Sequence, residues 1–230
     1  MNGPQQLDPV VLDVDDAPVG HSFADPSCYD SDIALLGYLM QDLRVLARQL
    51  ASGEREIRNF DHLEWEVHGL QRRTVICDAD ALVEPVARQM VGFFGDRRND
   101  SGGWDVEEAE LDVVAEFRSH PGIISYSSTE LIGGQWANLV VHRRPDDRTE
   151  WRNSVVHVAA AEVVAPHIYH NVRIHNGCIP GGPVGSETVV IESTKYWDYD
   201  VTPTWHAFRQ LPGGLTETLD GPIGDPPAGG

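Results

Sequence analysis

The segment from His120 to Arg144, HPGIISYSSTELIGGQWANLVVHRR, constrains the fold more than any other part of the sequence. Two runs of residues with strand character, Ile123 to Leu131 and Gln135 to His142, are separated by the pair Gly133-Gly134. Paired glycines between such runs are typical of a β-hairpin, because glycine adopts the positive φ angles that tight turns require. The sequence therefore predicts two antiparallel strands in this segment.

Helix and strand patterns surround this hairpin. Val106 to Ser119 and Arg148 to Ala165 show the spacing of apolar residues that is typical of helices. Ile168 to Asn176 and Thr188 to Trp197 predict two further strands. The order helix, strand, strand, helix, strand, strand indicates an α+β fold with a ferredoxin-like unit, whose first strand must come from elsewhere in the chain.

The first part of the chain gives a less distinctive pattern. Ile33 to Met40 fits a short buried strand, and a single helix from Asp32 to Ala51 fits the same residues almost as well. LEWEVHGL and RRTVICDAD predict two strands around Gly69, and ALVEPVARQMVGFFG predicts a helix that Pro85 starts late. We therefore expect two related halves, residues 31–103 and 104–200, with the boundary in RRNDSGGW.

The two ends of the chain differ from this central region. Residues 1–30 are rich in Asp, Pro, Gly and Ser and predict an N-terminal arm, in which Val10 to Val14 could add one edge strand. Residues 201–230 end in DGPIGDPPAGG and predict a flexible tail rich in proline and glycine.

Composition excludes several classes of function. The 230 residues carry 17 Lys and Arg against 36 Asp and Glu, and the resulting charge of -19 would repel nucleic acid and anionic membrane surfaces. The N-terminal sequence has no basic and apolar signal pattern, which predicts a cytoplasmic protein without a membrane span. Cys28, Cys77 and Cys178 have no zinc-binding spacing, so we expect free thiols and no metal site.

Alternation along the second hairpin strand predicts a binding surface. It places Trp136, Asn138, Val140 and His142 on one face, which combines aromatic surface with an amide and an imidazole. This mixture is expected of a pocket lining, although a packed Trp beside a satisfied Asn and a rim His would give the same pattern. The serine-rich preceding strand leaves space, and it directs Tyr126 to a cavity wall.

Other candidates lie on the following helix and strand. His157 borders the apolar face of the predicted helix, where an imidazole could transfer protons or serve a structural hydrogen bond. In the next strand, Tyr169, Arg173 and His175 share one face, which either meets solvent or lines a wet cavity. His170 points to the other face as a buried, satisfied His or as a ligand.

The runs HPGIISYSSTEL, GQWANLVVH and EWRNSVVHVAAA resemble the dimeric α+β barrel superfamily, especially antibiotic-biosynthesis monooxygenase-like domains. The resemblance covers about Asp105 to Tyr199, and it implies a ferredoxin-like α+β barrel and a homodimer. Distant relatives include chlorite dismutase-like and aldoxime dehydratase-like heme enzymes, so the cofactor is either none or heme. In the heme-degrading branch the ligand position would fall on Ala161; His157 lies one turn earlier, and His170 would bind the cofactor only if heme is present.

Together these features predict a tailoring enzyme of secondary metabolism that binds an apolar or aromatic small molecule between sheet and helix. His157 and His142 would supply acid/base catalysis for oxygenation, cyclisation or dehydration. The substrate would be bound by Tyr126, Trp136, Asn138, Tyr169, Arg173 and His175. The alternatives are a heme-dependent enzyme of the chlorite dismutase or aldoxime dehydratase type and a non-catalytic ligand-binding or assembly protein.

Overall fold

The computed structural model describes residues 8–67, 69–99, 111, 113–131, 133–186 and 188–216. These residues form an α+β fold on one nine-stranded sheet, in which neighbouring strands are antiparallel except for the parallel pair β1 and β9. The strands lie in the spatial order β1-β9-β8-β7-β4-β6-β5-β3-β2. They are β1 Val10–Leu12, β2 Asp61–Val67, β3 Leu70–Ile76, β4 Arg88–Arg97, β5 Ile123–Glu130, β6 Gln135–His142, β7 Tyr169–Ile179, β8 Val190–Asp198 and β9 Trp205–Leu215.

One long helix and several short ones cover this sheet. The helices are α1 Cys28–Ser52, α2 Ala79–Leu82, α3 Pro145–Arg152, α4 Val155–Ala159 and α5 Ala165–Ile168, with a π-helical turn Ala160–Val164 between α4 and α5. Short 3-10 turns occupy Ser22–Ala24 and Phe117–Ser119. Within the described residues, no helix has the length and apolar character that crossing a bilayer requires.

The main hydrophobic core lies between α1 and one face of the sheet. Apolar residues recur at helical spacing along α1, and Leu36, Met40 and Leu43 are fully buried in this core. The helix ends at Gly53, which adopts φ 73° and stops the helical repeat. Gly92 on β4 allows close packing, because a Cβ atom there would lie 2.8 Å from a methyl group of Leu36. The sheet therefore has one face sealed by α1.

A buried carboxylate on α1 ties the helix to β7. Asp32, which is 2% exposed, accepts hydrogen bonds from Arg173 Nε and Nη2 at 2.5 and 2.6 Å and lies 2.9 Å from His175 Nε2. Burial lowers the pKa of His175 and outweighs the opposing effect of Asp32, so the imidazole is neutral. Its Nε2–H therefore donates to Asp32, and its Nδ1 accepts from the Thr194 hydroxyl at 2.8 Å.

The same network continues across β8 and β9. The Tyr29 hydroxyl donates to Thr194 at 2.8 Å and lies 2.9 Å from the Tyr196 hydroxyl, which accepts from Arg209 Nη1 at 2.7 Å. Because the proton of Tyr29 is directed to Thr194, the hydroxyl of Tyr196 must donate to Tyr29. Every hydroxyl of the network then donates once and accepts once, which is the condition under which buried polar groups are tolerated.

The α+β class and the hairpin across Gly133-Gly134 are confirmed. In the first part of the chain, the helix alternative is confirmed and the strand Ile33 to Met40 is wrong, because those residues lie inside α1. The helix predicted in ALVEPVARQMVGFFG is also wrong: α2 ends before Pro85, and β4 follows. Both faces of β4 are covered by other residues, so its nearly continuous apolar run did not show the alternation of a half-exposed strand.

The predicted C-terminal tail needs correction, whereas the two related halves stay a prediction. The tail predicted for 201–230 contains β9, while residues 217–230 lie outside the described residues. The predicted edge strand in the N-terminal arm is present as β1. The boundary at residues 103 and 104 does not separate two sheets, because β4 lies between β6 and β7. Of the helix predicted for Val106 to Ser119, residues 106–110 lie outside the described residues, and residues 113–119 are helical.

We expect Asp32→Asn to lower the free energy of unfolding by about 3–5 kcal/mol, because it leaves the Arg173 guanidinium buried without its counter-charge. Asp30→Asn is the matched control on the same helix; Asp30 is exposed, and its loss should cost less than about 1 kcal/mol. Urea unfolding of both variants at pH 7 measures the difference. Equal destabilisation by the two substitutions would contradict the role given to Asp32.

Candidate functional site

A cavity of about 710 Å³ occupies the face of the sheet opposite α1. Its floor is formed by side chains from β4 to β9, and its roof is formed by the helical segment from α3 to α5. A volume of this size falls in the range of sites that enclose small organic ligands. The cavity is therefore the first candidate for a functional site.

The residues of β6 that form part of the cavity floor are those that the sequence places on one face of this strand. Trp136, Asn138, Val140 and His142 all line the cavity. The alternate residues Ala137, Leu139 and Val141 pack in the core under α1. The alternation of side chains along β6 thus gives the correct face for these residues, because one face of the strand meets the cavity and the other meets the core under α1.

The burial of the His142 ring in the cavity wall is not compensated by hydrogen bonds from the described part of the chain. Its side chain is fully buried, and neither ring nitrogen has a hydrogen-bond partner among the described residues. Burial, together with the charge of Arg148, lowers the pKa of His142 to about 4, so the imidazole is neutral at physiological pH. A neutral imidazole offers one donor and one acceptor nitrogen, and here both lie in the cavity wall without a partner among the described residues.

His157 lines the cavity from the roof. Ser154 caps α4 by accepting a hydrogen bond from the backbone N–H of His157 at 3.1 Å, which fixes the backbone of His157. The imidazole packs edge-to-face on Trp151, with ring centroids 5.2 Å apart. Burial lowers the pKa of His157, and its Nδ1 atom has no partner among the described residues. The cavity therefore contains two imidazoles, one from each wall.

Tyr126 and Asn138 form a polar pair in the same floor. Asn138 Nδ2 lies 3.5 Å from Tyr126 Oη, and the Tyr126 ring packs on Phe117 at a centroid distance of 5.4 Å. Burial raises the pKa of Tyr126 to about 12, so the phenol remains protonated. This pair could orient a carbonyl oxygen of a ligand.

Arg173 and His175 were wrongly placed beside Tyr169. Tyr169 lines the cavity, whereas Arg173 and His175 lie on the opposite face and bind Asp32. The register between β4 and β7 shifts next to Asp96 and Arg97, so the alternation of β7 changes between Tyr169 and the rest of the strand. Beyond this irregularity Val172, Ile174 and Asn176 face the cavity.

His170 lies outside the cavity. Its Nδ1 is 2.8 Å from Asp200 Oδ2 and 3.2 Å from Arg98 Nη1, and its side chain is 38% exposed. The prediction that His170 is enclosed by aliphatic residues is wrong, because its side chain turns to the surface beside Asp200. As placed, it does not fit the role of a ligand in this cavity.

The roof differs from the single helix that was predicted. The helical segment is interrupted at Asn153 and Ser154, between α3 and α4. Val155 and Val163, two apolar residues of this segment, are 84% and 53% exposed. The inner side instead carries His157, Ala161 and Val164 among its residues. The break after α3 reorients the following turns relative to a continuous helix.

Several cavity residues were not identified from the sequence. Val91 and Phe93 belong to β4, which was predicted as a helix. Three basic residues, Arg148, Arg152 and Lys195, also line the cavity. The sequence contains features that could have identified these basic residues. Arg148 and Arg152 are one helical turn apart, and Lys195 shares a strand face with Trp197.

The side chains of the cavity are suited to proton transfer and hydrogen bonding. Within the part of the chain that the structure describes, no group of three or more His, Cys, Asp or Glu residues is arranged to hold a metal ion. The two imidazoles can transfer protons, and the amide and phenol can donate hydrogen bonds to a developing oxyanion. The aromatic surface of Phe93, Trp136 and Trp197 can bind an apolar ligand body.

Comparison with known proteins finds no matching family model, no similar characterised protein and no similar solved structure.

We expect His142→Leu to raise the free energy of unfolding at pH 7 by about 1 kcal/mol, because it removes a buried polar ring without partners. The substitution should also flatten the pH dependence of stability. The pKa of His142 is below that of an unfolded His, so the unfolded chain binds more protons, and stability falls between about pH 6.5 and 4. The wild type should lose about 2–3 kcal/mol from this residue by pH 4.5.

Urea unfolding at pH 7 and pH 4.5 measures this difference. His62→Leu, at an exposed position on the edge strand β2, is the control and should keep the pH dependence of the wild type. If His142→Leu and His62→Leu show the same acid sensitivity, His142 is not held neutral by its environment.

Proposed function

We propose that this protein is a small-molecule tailoring enzyme that binds an apolar, aromatic or polyketide-like carbonyl compound in the cavity and transfers protons with His142 and His157. The observation that carries the proposal is the buried imidazole of His142, whose two nitrogens have no partner among the described residues. An unpaired buried ring costs stability, and a ligand that bonds to it would offset that cost.

Cyclisation and dehydration of a carbonyl compound need proton transfers and a stabilised oxyanion, and side chains of this cavity supply both functions. Neutral His142 would accept a proton from carbon α to the carbonyl group. His157, on the roof, would enter in its minor protonated form and give that proton to the oxygen that leaves as water. The proton held by His142 would then pass to solvent and His157 would take one up, which restores both imidazoles. Asn138 and Tyr126 would donate hydrogen bonds to the carbonyl oxygen as negative charge develops there.

The arrangement of the central strands supports the resemblance to ferredoxin-like α+β barrels. In chain order, β4, the helical residues 113–119, β5, β6, the roof segment and β7 follow the pattern strand, helix, strand, strand, helix, strand. The four strands are neighbours in one sheet, with β4 as the first strand that the pattern requires. A closed barrel, a repeat of this unit and a homodimer belong to the same proposal.

The heme-dependent alternative has less support from the residues present. His170 pairs with Asp200 outside the cavity, and Ala161 occupies the ligand position that the resemblance indicates. His157 is the imidazole of the roof with an unpartnered nitrogen, and its proposed role is proton transfer. The proposal therefore assigns the imidazoles of the cavity to acid/base catalysis.

Hydrogen–deuterium exchange of a model ketone tests the proton transfer. We expect the wild type to accelerate exchange of the methyl protons of 2-acetonaphthone in D2O, followed by NMR at pD 7.5. His142→Gln and His157→Gln should each slow the enzyme-dependent exchange by about 100-fold or more, because positioned general bases contribute about that factor.

His62→Gln is the matched control, since it removes an exposed imidazole from β2 and should retain the wild-type rate. Equal rates in all four proteins would contradict the assignment of the two imidazoles. Saturable binding of the ketone without accelerated exchange would instead support the non-catalytic ligand-binding alternative.

A further inference from the structure

The charge of the cavity is opposite in sign to the charge of the chain. The sequence carries 36 acidic against 17 basic residues, yet the described cavity lining contains Arg148, Arg152 and Lys195 and a single carboxylate, Glu162. At physiological salt the Debye length is about 8 Å, so the distant acidic surface is largely screened from this site. The charged groups of the cavity lining itself, three cations against one carboxylate, therefore dominate the local field.

No carboxylate in the described part of the chain pairs directly with these cations. Among the described residues, none of the three side chains makes a hydrogen bond or an ion pair within 4.0 Å. Arg173 on the other face differs in this respect, because it is paired with Asp32. Burial lowers the pKa of Arg148, and the charge of Glu192 opposes that shift. Burial lowers the pKa of Lys195, and the charges of Arg152 and Arg148 lower it further. The three like charges therefore repel one another around an unneutralised space.

The cations approach this space from both walls of the cavity. Arg148 and Arg152 lie one turn apart on α3 in the roof, and Lys195 rises from β8 in the floor. Aromatic surface begins beside them, because Trp197 follows Lys195 on the same face of β8 and Trp151 lies on α3 between the two arginines. One end of the cavity is thus cationic, and apolar walls continue from it.

We propose that the substrate is an amphipathic carboxylate, whose anionic group binds to Arg148, Arg152 and Lys195 while its apolar body occupies the cavity. This inference rests on the proposed function because it places the substrate in the same cavity. It concerns how the substrate is bound, and it can be tested without a catalysed reaction. Arginine and lysine bind carboxylates through charge-assisted hydrogen bonds, and the two arginines offer planar donor groups that match the carboxylate geometry. The apolar body would then extend along Trp197 toward Asn138 and His142.

A matched pair of fluorescent probes tests the inference with the full chain. Pyrenebutanoate carries an aromatic body and a carboxylate, and its methyl ester has the same body without the charge. We expect the wild type to bind pyrenebutanoate at least about tenfold more tightly than the ester, measured by fluorescence anisotropy, because a charge-assisted hydrogen bond contributes about that factor.

The double variant Arg148→Gln/Lys195→Gln should abolish this preference and leave ester binding within about twofold of the wild type. The control Arg55→Gln/Arg58→Gln removes the same charge from exposed positions outside the cavity, and it should keep the preference. Thermal unfolding provides the check on folding. Removing mutually repelling cations should leave the midpoint unchanged or raise it, whereas residues with a structural role would lower it.

The outcomes separate this inference from the proposed function. Equal binding of acid and ester by the wild type, or an unchanged preference in the cavity double variant, would overturn the anion site while leaving the apolar cavity in place. Failure of both probes to bind would overturn the anion site and would also count against the cavity as a binding site. Loss of the preference in Arg55→Gln/Arg58→Gln as well would show that net charge, and not the cavity, selects the acid.

Discussion

The buried pairing of Asp32 with Arg173 is the interaction on which the division of this molecule into two faces depends. It joins α1 to β7, and the hydroxyl network through Thr194 extends the connection to β8 and β9. With α1 attached there, one face of the sheet is sealed by aliphatic packing. The opposite face is free to enclose a cavity under short helices, so a dense core and a ligand-sized space exist in the same small fold.

Histidine and arginine side chains on the two faces of the sheet differ in whether they have hydrogen-bond or charge partners. His175 and His142 are both fully buried imidazoles with lowered pKa values, but His175 has a partner at each nitrogen and His142 has none. Arg173 is neutralised by a carboxylate, and Arg148 is not. Buried polar atoms without partners among the described residues also occur outside the cavity, for example Ser125 Oγ, but the nitrogens of His142 lie in the cavity wall, where a ligand could supply the missing partners. Arg148 also lowers the pKa of His142, so the proposed anion-binding group and the proposed acid/base group are electrostatically coupled.

Sequence reasoning succeeded where a strand has two chemically different faces. The alternation of β6 identified Trp136, Asn138 and His142 correctly as one surface, because the other surface is aliphatic. It failed for β7, where an irregularity in the pairing with β4 separates Tyr169 from the remaining alternation. The strand β4 was predicted as a helix, because apolar residues on both of its faces hide the period of two. The break after α3 was not predicted, because it depends on tertiary packing. The importance of Asp32 was also not visible, since its partners are more than a hundred residues away.

The position of β4 between β6 and β7 has a consequence for how the chain reaches its native state. Residues 88–97 leave the ribosome well before residues 135–142 and 169–179, so both edges of this central strand lack their partners during early synthesis. Pairings of such long sequence separation slow folding, because the intervening loops must close first. The aromatic residues Phe93 and Phe94 then remain unprotected for longer than the edge hairpin of β2 and β3. During biosynthesis, both edges of the central strand therefore stay unpaired until β6 and β7 have been made.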